Sequence, residues 1–130
     1  MSHPPQADGQ TQARQDRGRQ AWHAGQAAEH AVARHYERAG LSIAARRWRK
    51  GGGELDLVMR DGDSLVFVEV KKSRDFDRAA ASLSARQMAR LHDGAALFLA
   101  GESLGELTDC RFDVALVNAH GEICIVENAF

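Results

Sequence analysis

The sequence has few cysteines and few prolines. Its 130 residues include two cysteines and two prolines, and both prolines stand within the first five positions. Cys110 and Cys124 lack metal-ligand spacing, so free thiols in a reducing cytoplasm fit best. No apolar run reaches the roughly 18 residues of a membrane span, and no apolar segment follows Met1 as in a signal peptide. These absences predict a cytoplasmic protein without a membrane partner.

The sequence also has almost no net charge. A formal charge of −1 argues weakly against a nucleic-acid partner. The charges are nevertheless segregated, since residues 34–50 carry +5 and residues 72–90 carry +3, whereas residues 51–71 carry −3 and residues 91–130 carry −6. Basic segments on both sides of an acidic one are expected of a metal site that faces a phosphate backbone. Solvated surface charge is the alternative interpretation.

Histidines are scattered rather than clustered. The chain has six, and His30 and His35 are five positions apart, so they do not share a helix face. A histidine metal site is therefore not expected.

The acidic segment has the pattern of a β-hairpin. Apolar and other side chains alternate in both arms of residues 54–71, as in two strands with one buried face. Gly62-Asp63 suits a two-residue loop, and that loop places Asp56 opposite Glu69. A slip of one residue would move these side chains to different faces. The predicted core face consists of Leu55, Leu57, Met59, Val66, Val68 and Val70.

Two carboxylates that face each other across a hairpin need an explanation. They repel, at a cost of a few tenths to about 1 kcal/mol, and a divalent cation between them would reverse that sign. Lys71 adds an ammonium group on the same face. The alternative is a solvated hairpin face with a Glu54–Lys71 ion pair, which leaves Asp56 opposite Glu69 unexplained.

The rest of the chain predicts one domain over residues 18–130, after a disordered polar tail of residues 1–17. The predicted elements are a helix over about 16–39 with Trp22, Ala28, Val32, Tyr36 and Ala39 on one face, a strand over 41–45, the hairpin, a charged loop over 72–78, a helix from Ser82 or Ser84 to near Gly101, a loop over 101–109, and strands over 111–117 and 123–126. This order predicts an α/β fold in which helices flank a central mixed β-sheet.

The pattern Asp56…Glu69-x-Lys71 resembles that of the PD-(D/E)xK nuclease superfamily, which has the restriction-endonuclease-like fold. The resemblance implies that Asp56, Glu69 and the backbone carbonyl of Val70 hold Mg²⁺ or Mn²⁺, and that Lys71 positions or activates the attacking water. Hard oxygen ligands suit Mg²⁺. Such a cation polarises the phosphate and lowers the pKa of a bound water.

After the tail, nearly the whole chain resembles the YraN-like family of small bacterial proteins. That family is predicted to have the endonuclease fold and to be related to Holliday-junction resolvases. The stretches that carry the resemblance are Gly25-Gln-Ala-Ala-Glu29-His-Ala, Gly53-Glu54-Leu-Asp56-Leu-Val, Val66-Phe-Val-Glu69-Val-Lys71, Arg111-Phe-Asp113-Val and Ile125-Val-Glu127-Asn-Ala-Phe130. Glu29 matches the helix carboxylate that resolvase-like enzymes use beside the metal, which implies a catalytic role; its position beside the apolar helix face fits a rim residue equally well.

The chain departs from the family pattern at two positions. Lys72 stands before Ser73-Arg74, where a small polar residue and then arginine are usual. Gln87 replaces a frequent lysine at the start of the second long helix, although Arg86 and Arg90 remain nearby.

The resemblance implies a metal-dependent nuclease that hydrolyses phosphodiester bonds in DNA, with branched or junction DNA among the candidate substrates. The residues expected to contact nucleic acid are Arg46, Arg47, Arg49, Lys50, Lys72 and Arg74. Trp48 either stacks on an unpaired base or packs against the first helix. The alternative function is a non-catalytic nucleic-acid-binding or adaptor protein with the same fold. The sequence leaves DNA or RNA open, and also the oligomeric state, a homodimer included.

Overall fold

Helix α1, with helical residues 25–38, opens the part of the chain that the structure describes, which is residues 25–130 of a computed structural model. The strands are β1 (Ser42–Lys50), β2 (Gly53–Asp61), β3 (Ser64–Lys72), β4 (Cys110–Val117) and β5 (Ile123–Val126), and the later helices are α2 (Phe76–Ala81), α3 (Ala85–Leu99) and a 3₁₀ turn over Gly105–Leu107. The predicted tail 1–17, residues 16–24 of the predicted first helix, and Trp22 lie outside the described residues. Within residues 25–130, no helix is long and apolar enough to cross a membrane.

The five strands form one mixed sheet in the order β1-β2-β3-β4-β5. Neighbouring strands are antiparallel except β3 and β4, which are parallel. The crossover between these two contains α2 and α3, because parallel strands cannot be joined by a tight turn. The prediction of an α/β fold with a central mixed sheet flanked by helices is confirmed, and the architecture is of the restriction-endonuclease-like form.

One strand is longer than predicted. The sequence indicated a strand over 41–45, but β1 continues through the basic residues to Lys50. It does so because it pairs with β2 from Ser42–Arg60 to Lys50–Gly53. The basic side chains are thus held on an ordered edge strand rather than on a loop.

The predicted loop over 72–78 is partly helical. Asp75 caps α2, because its carboxylate accepts a hydrogen bond from the Arg78 backbone nitrogen at 2.8 Å. Aspartate is a favoured N-cap residue, so this start signal was present in the sequence, within a segment whose charge suggested a loop. Of the two serine candidates, Ser84 caps α3 and forms a capping box with Gln87, while Ser82 ends α2. The predicted loop 101–109 contains the 3₁₀ turn.

Each face of the sheet is covered by one long helix. The α1 side buries Ala28, Val32 and Tyr36, as predicted, whereas Ala39 is exposed in the turn after the helix. The α3 side buries Leu91 and Ala95. The strand residues buried under α1 include Leu57, Met59, Val66 and Val68, and those buried under α3 include Leu55, Val58, Leu65 and Phe67.

The position of Leu55 corrects the predicted core face. Leu55 lies on the α3 side, although Leu57 lies on the α1 side, so the strict alternation of β2 breaks between them. The partner strand is irregular at the same level, since Arg47 has a positive φ of 46°, which is uncommon for a residue other than glycine. Trp48, opposite Leu55, therefore packs against Phe98 of α3 with ring centroids 5.4 Å apart, and not against the first helix.

A buried carboxylate anchors the C-terminal end of α1. Asp113 of β4 is fully buried and accepts hydrogen bonds from Tyr36 Oη at 2.7 Å, Arg111 Nε at 3.1 Å and the Asn128 backbone nitrogen at 3.0 Å. Burial of a carboxylate is tolerated when it is paired in this way. The stretch Arg111-Phe-Asp113 therefore ties α1 and the C-terminal segment to the sheet.

Two glycines set the separation between β2 and α3. A Cβ atom on Gly53 would overlap the backbone of Gly94, and one on Gly94 would lie 3.0 Å from Glu54 N and 3.1 Å from Leu55 Cγ. Both glycines are buried, so neither the strand nor the helix has room to move. This close approach places the start of β2 beside the first turns of α3.

We predict that Gly53→Ala lowers the free energy of unfolding by about 2 kcal/mol or more, since backbone must shift to admit the methyl group. Chemical denaturation measures the change. Gly101→Ala is the matched control, because its Cβ would meet only Phe98 O at 3.5 Å, and it should change stability by less than about 0.5 kcal/mol. Equal effects of the two substitutions would show that the Gly53–Gly94 approach does not constrain the fold.

Candidate metal centre and nucleic-acid interface

A cleft of about 270 Å³ opens at the end of the sheet where β2 begins and β3 ends. Residues of α1, β2, β3 and α3 line it: Gly25, Glu29, Glu54, Asp56, Glu69, Val70, Lys71, Lys72, Gln87 and Arg90. The four acidic residues and Lys71, which are far apart in the sequence, are thus brought to one place. We call this the carboxylate cleft.

The hairpin register that defines the site is confirmed as far as Leu57 opposite Val68. Beyond that pair, the Val70 backbone nitrogen donates a hydrogen bond to Asp56 Oδ2 at 2.9 Å. The Asp56 side chain thus bonds to the β3 backbone beyond the last paired residues of the two strands. The hydrogen bond holds the Asp56 carboxylate over residues 69–71 of β3.

Asp56 and Glu69 form a partly buried pair of carboxyl groups. The Glu69 side chain is 12% exposed, and the two carboxyl groups are within hydrogen-bond reach of each other. Burial, with the charge of Asp56 as a second cause, raises the pKa of Glu69 to about 7. Burial also raises the pKa of Asp56, although the hydrogen bond from Val70 opposes the shift. Without a cation, two ionised carboxylates are unfavourable here.

Lys71 is the cation closest to this pair in the described cleft. Its Nζ lies 3.3 Å from Glu69 Oε1, and its side chain is 14% exposed. The attraction of Lys71 lowers the pKa of both Glu69 and Asp56, but less than burial raises them. One ammonium thus faces two carboxyl groups, which leaves the site short of positive charge when both are ionised.

The Glu54–Lys71 ion pair that the alternative interpretation required does not form. Glu54 instead contacts two arginines, with Arg49 Nη2 at 3.0 Å from Oε1 and Arg90 Nη2 at 3.4 Å from Oε2. Lys71 pairs with Glu69 because both side chains leave the same face of β3, two residues apart.

Glu29 lines the carboxylate cleft from α1. Its Oε2 accepts a hydrogen bond from Arg47 Nε at 2.9 Å, and its side chain is 19% exposed. The sequence left Glu29 either at the rim or in the site. The structure places it on the wall of the carboxylate cleft, where Arg47 of β1 is its partner.

The six predicted phosphate-binding residues are divided among several places. Lys72 lines the carboxylate cleft, and Arg49 and Lys50 line a second cleft next to it. Arg46 Nη1 lies 2.8 Å from His30 Nδ1 on α1. Arg74 is exposed in the loop after β3. All six side chains are on the surface, where their charge is available to an anionic partner.

The donor atoms of the carboxylate cleft fit a hard cation. Magnesium is commonly held by one or two carboxylates, and its other ligands are waters and substrate oxygens. Asp56 and Glu69 supply such a pair, and a divalent ion between them would offset the burial and the repulsion by Asp56 that raise the pKa of Glu69. Among residues 25–130, no three His, Cys, Asp or Glu side chains converge into a complete metal cluster. Any metal here therefore needs backbone, water or substrate oxygens as further ligands.

Sequence reasoning did not assign Arg90 to the site, although it noted the residue. Arg90 enters the cleft from α3, because Gly94, one helical turn later, packs directly on β2. Gln87 also lines the cleft, and its side chain accepts a hydrogen bond from the Ser84 backbone nitrogen at 3.1 Å. In the sequence, Arg90 and Gly94 are four residues apart, so they lie on the same face of the helix. This spacing would have placed Arg90 at the cleft only if the face of α3 that meets the sheet had been known.

Comparison with known proteins places the chain in a family. Residues 28–117 match the sequence profile described as "Uncharacterised protein family UPF0102". A UPF0102 protein of Ruegeria pomeroyi is 63% identical over 107 residues, which cover 82% of this chain and 87% of the relative. One of Cereibacter sphaeroides is 57% identical over 113 residues, covering 87% and 97%, and one of Roseobacter denitrificans is 52% identical over 120 residues, covering 92% and 93%.

The profile match spans β1 to β4 and includes every residue that lines the carboxylate cleft from Glu29 to Arg90. The resemblance to the YraN-like family is thereby confirmed: the chain belongs to the UPF0102 family.

Proposed function

We propose that this protein is a metal-dependent nuclease that hydrolyses phosphodiester bonds in DNA, with Asp56, Glu69 and Lys71 as the PD-(D/E)xK-type catalytic set. One observation carries the proposal. Two partly buried carboxyl groups from adjacent strands share one cleft with an ammonium group 3.3 Å from one of them. A fold has no need of this arrangement, since burying like charges together is unfavourable.

Each residue has a role that follows from its position. Asp56 and Glu69, with the backbone carbonyl of Val70, would hold Mg²⁺ or Mn²⁺, and Glu29 of α1, which lines the same cleft, would act beside the metal. When bound, the cation would polarise the phosphate and lower the pKa of a water. Lys71, held against Glu69, would place its ammonium near the attacked phosphorus and offset the negative charge that develops there.

The surroundings of the cleft favour a nucleic acid as substrate. Lys72 and Arg90 line it, and the exposed arginines of β1 continue the positive surface beyond it. A polyanion would be attracted to these exposed arginines despite the net charge of −1, because residues 34–50 carry +5 whereas residues 91–130 carry −6. The cytoplasmic location and a homodimer stay predictions.

A second candidate function is nucleic-acid binding without catalysis, as a binding module or adaptor. The exposed basic residues of β1 favour it, since they would serve a binder equally well. The partly buried Asp56–Glu69 pair favours the nuclease, because a binding surface gains nothing from carboxylates that repel a phosphate. The two functions therefore differ in what Lys71 and Asp56 do.

The pKa shifts predict how stability depends on pH in EDTA. A carboxyl group whose folded pKa is raised stabilises the fold below its unfolded pKa, near 4.5 for glutamate, and this contribution is lost as the pH rises through about 7. Asp56→Asn keeps an acceptor for Val70 N and leaves the Lys71–Glu69 pair intact. We expect the variant to be more stable than wild type at pH 8, by on the order of 1 to 3 kcal/mol.

Urea denaturation at pH 5 and pH 8 measures this difference, and comparing the two proteins cancels the contributions of other titrating groups. The advantage of Asp56→Asn should shrink at pH 5, where Glu69 of the wild type is protonated because its pKa is about 7. An advantage of equal size at both pH values would mean that the carboxyl pair does not titrate as described.

The catalytic role of Lys71 predicts a separation of cleavage from binding. With Mg²⁺ or Mn²⁺ and labelled branched, single-stranded and duplex DNA, Lys71→Ala should reduce the rate of cleavage at saturating DNA by roughly a hundred- to a thousand-fold. DNA affinity should change little, because the Lys71 side chain is mostly buried beside Glu69. Single-turnover cleavage and fluorescence anisotropy measure the two effects.

The neighbouring substitution Lys72→Ala is the matched control, since Lys72 is exposed on the same strand. It should weaken binding and leave the rate at saturating DNA nearly unchanged. Asp56→Asn and EDTA should both abolish cleavage. Cleavage that survives equally in Lys71→Ala and Asp56→Asn would come from a contaminant, and the binding function would then replace the nuclease.

A further inference from the structure

A second cleft of about 340 Å³ lies beside the carboxylate cleft. Its lining consists of Arg49, Lys50, the glycine turn 51–53, Glu54 and Arg90. Glu54 and Arg90 line both clefts, so the two form one continuous depression along the start of β2. We call the second one the arginine cleft.

Glu54 stands between two arginines from different elements. Arg49 of β1 contacts one carboxylate oxygen at 3.0 Å, and Arg90 of α3 contacts the other at 3.4 Å. The side chains of Arg49 and Arg90 are 77% and 54% exposed, and that of Glu54 is 34% exposed. Ion pairs this open to solvent contribute little to stability, so the fold does not depend on this bridge.

The charge of the arginine cleft remains positive with Glu54 in place. Arg49, Lys50 and Arg90 supply three cations against one carboxylate. The two oxygens of Glu54 occupy the position in which two oxygens of a phosphodiester would meet the same two guanidinium groups, and arginine pairs with phosphate as readily as with carboxylate.

The turn between β1 and β2 leaves room in this cleft for an anionic group to approach the backbone closely. Gly52 has a φ of +84°, a conformation that favours glycine, and no atom lies within 4 Å of the position of a Cβ. The wall is therefore bare backbone with free space beside it, which a bulky anionic group can approach more closely than it could a side chain.

We propose that the arginine cleft binds a phosphodiester group of the DNA backbone next to the one held in the carboxylate cleft, and that Glu54 occupies this subsite until the phosphate displaces it. The subsite rests on the proposed function, since the bound strand would have to pass the carboxylate cleft. Glu54 then lowers the affinity for DNA, because the incoming phosphate must compete with the Glu54 carboxylate for the arginines. Arg49 and Arg90 raise the affinity for DNA.

Binding without catalysis tests this proposal. The affinity of the full chain for a fluorescein-labelled duplex is measured in EDTA at several KCl concentrations. Arg90→Gln should weaken binding and flatten the slope of log K against log salt by about 0.9, because one phosphate fewer is neutralised. Arg49→Gln should do the same and serves if Arg90→Gln fails to fold. Glu54→Gln should strengthen binding several-fold, the opposite sign.

The chain offers matched controls at the other end of β2. Arg60 Nη1 lies 2.8 Å from Glu102 Oε1, and Arg60→Gln and Glu102→Gln remove the same charges away from both clefts. Both should leave the affinity and the salt slope unchanged. Unchanged or weaker binding by Glu54→Gln, or an unchanged slope in both Arg90→Gln and Arg49→Gln, would overturn the subsite.

The outcome is separate from that for catalysis. If these affinities change as described but wild type never cleaves DNA, the nuclease proposal fails and the arginine cleft remains a phosphate-binding site. If cleavage depends on Asp56 while Glu54→Gln and the arginine variants bind as wild type does, the subsite alone is wrong.

Discussion

The hydrogen bond from the Val70 backbone nitrogen to Asp56 Oδ2, 2.9 Å long, is the contact on which the site depends. It lies just beyond the last paired residues of β2 and β3, where the Asp56 side chain reaches the β3 backbone. As a result Asp56 is fixed over Glu69 and Lys71 instead of turning to solvent. This arrangement brings two carboxyl groups close together in a partly buried site. Burial and the charge of Asp56 accordingly raise the pKa of Glu69 to about 7.

The surrounding fold holds this pair from two sides. The Gly53–Gly94 approach presses α3 onto the start of β2, which brings Arg90 to the cleft. On the other face, Asp113 holds the far end of α1 through Tyr36, and α1 in turn presents Glu29 to the cleft. Neither anchor touches the carboxyl pair, so both are structural supports that keep charged groups in a fixed arrangement.

The sequence predicted the central mixed sheet and the hairpin register as far as Leu57 opposite Val68, because alternating strands and a two-residue loop leave little freedom in which residues face each other. It failed where side chains have several partners within reach. Lys71 forms an ion pair with Glu69 and not with Glu54. Glu54 is paired instead with Arg49 and Arg90. The reversal of faces at Leu55 lies at the same level as the positive φ of Arg47 on the partner strand, which no pattern in an arginine-rich strand indicates.

α2 shows the other kind of failure. Asp75 is an ordinary N-cap, but a six-residue helix is too short to display a hydrophobic period. The contribution of Arg90 was also out of reach, since it depends on how closely two glycines allow a helix and a strand to approach. Local patterns thus determined which strand residues are neighbours, and tertiary packing determined which charges meet.

The central claim is that the Asp56–Glu69 pair is built for a divalent cation. Diffraction from crystals soaked in Mn²⁺ at pH 8, above the pKa of Glu69 of about 7, tests it most directly through the anomalous signal of manganese. The account predicts one strong peak between the carboxylates of Asp56 and Glu69, and no peak at this position in crystals of Asp56→Asn. Manganese bound elsewhere, with Glu69 still paired only to Lys71, would contradict the account.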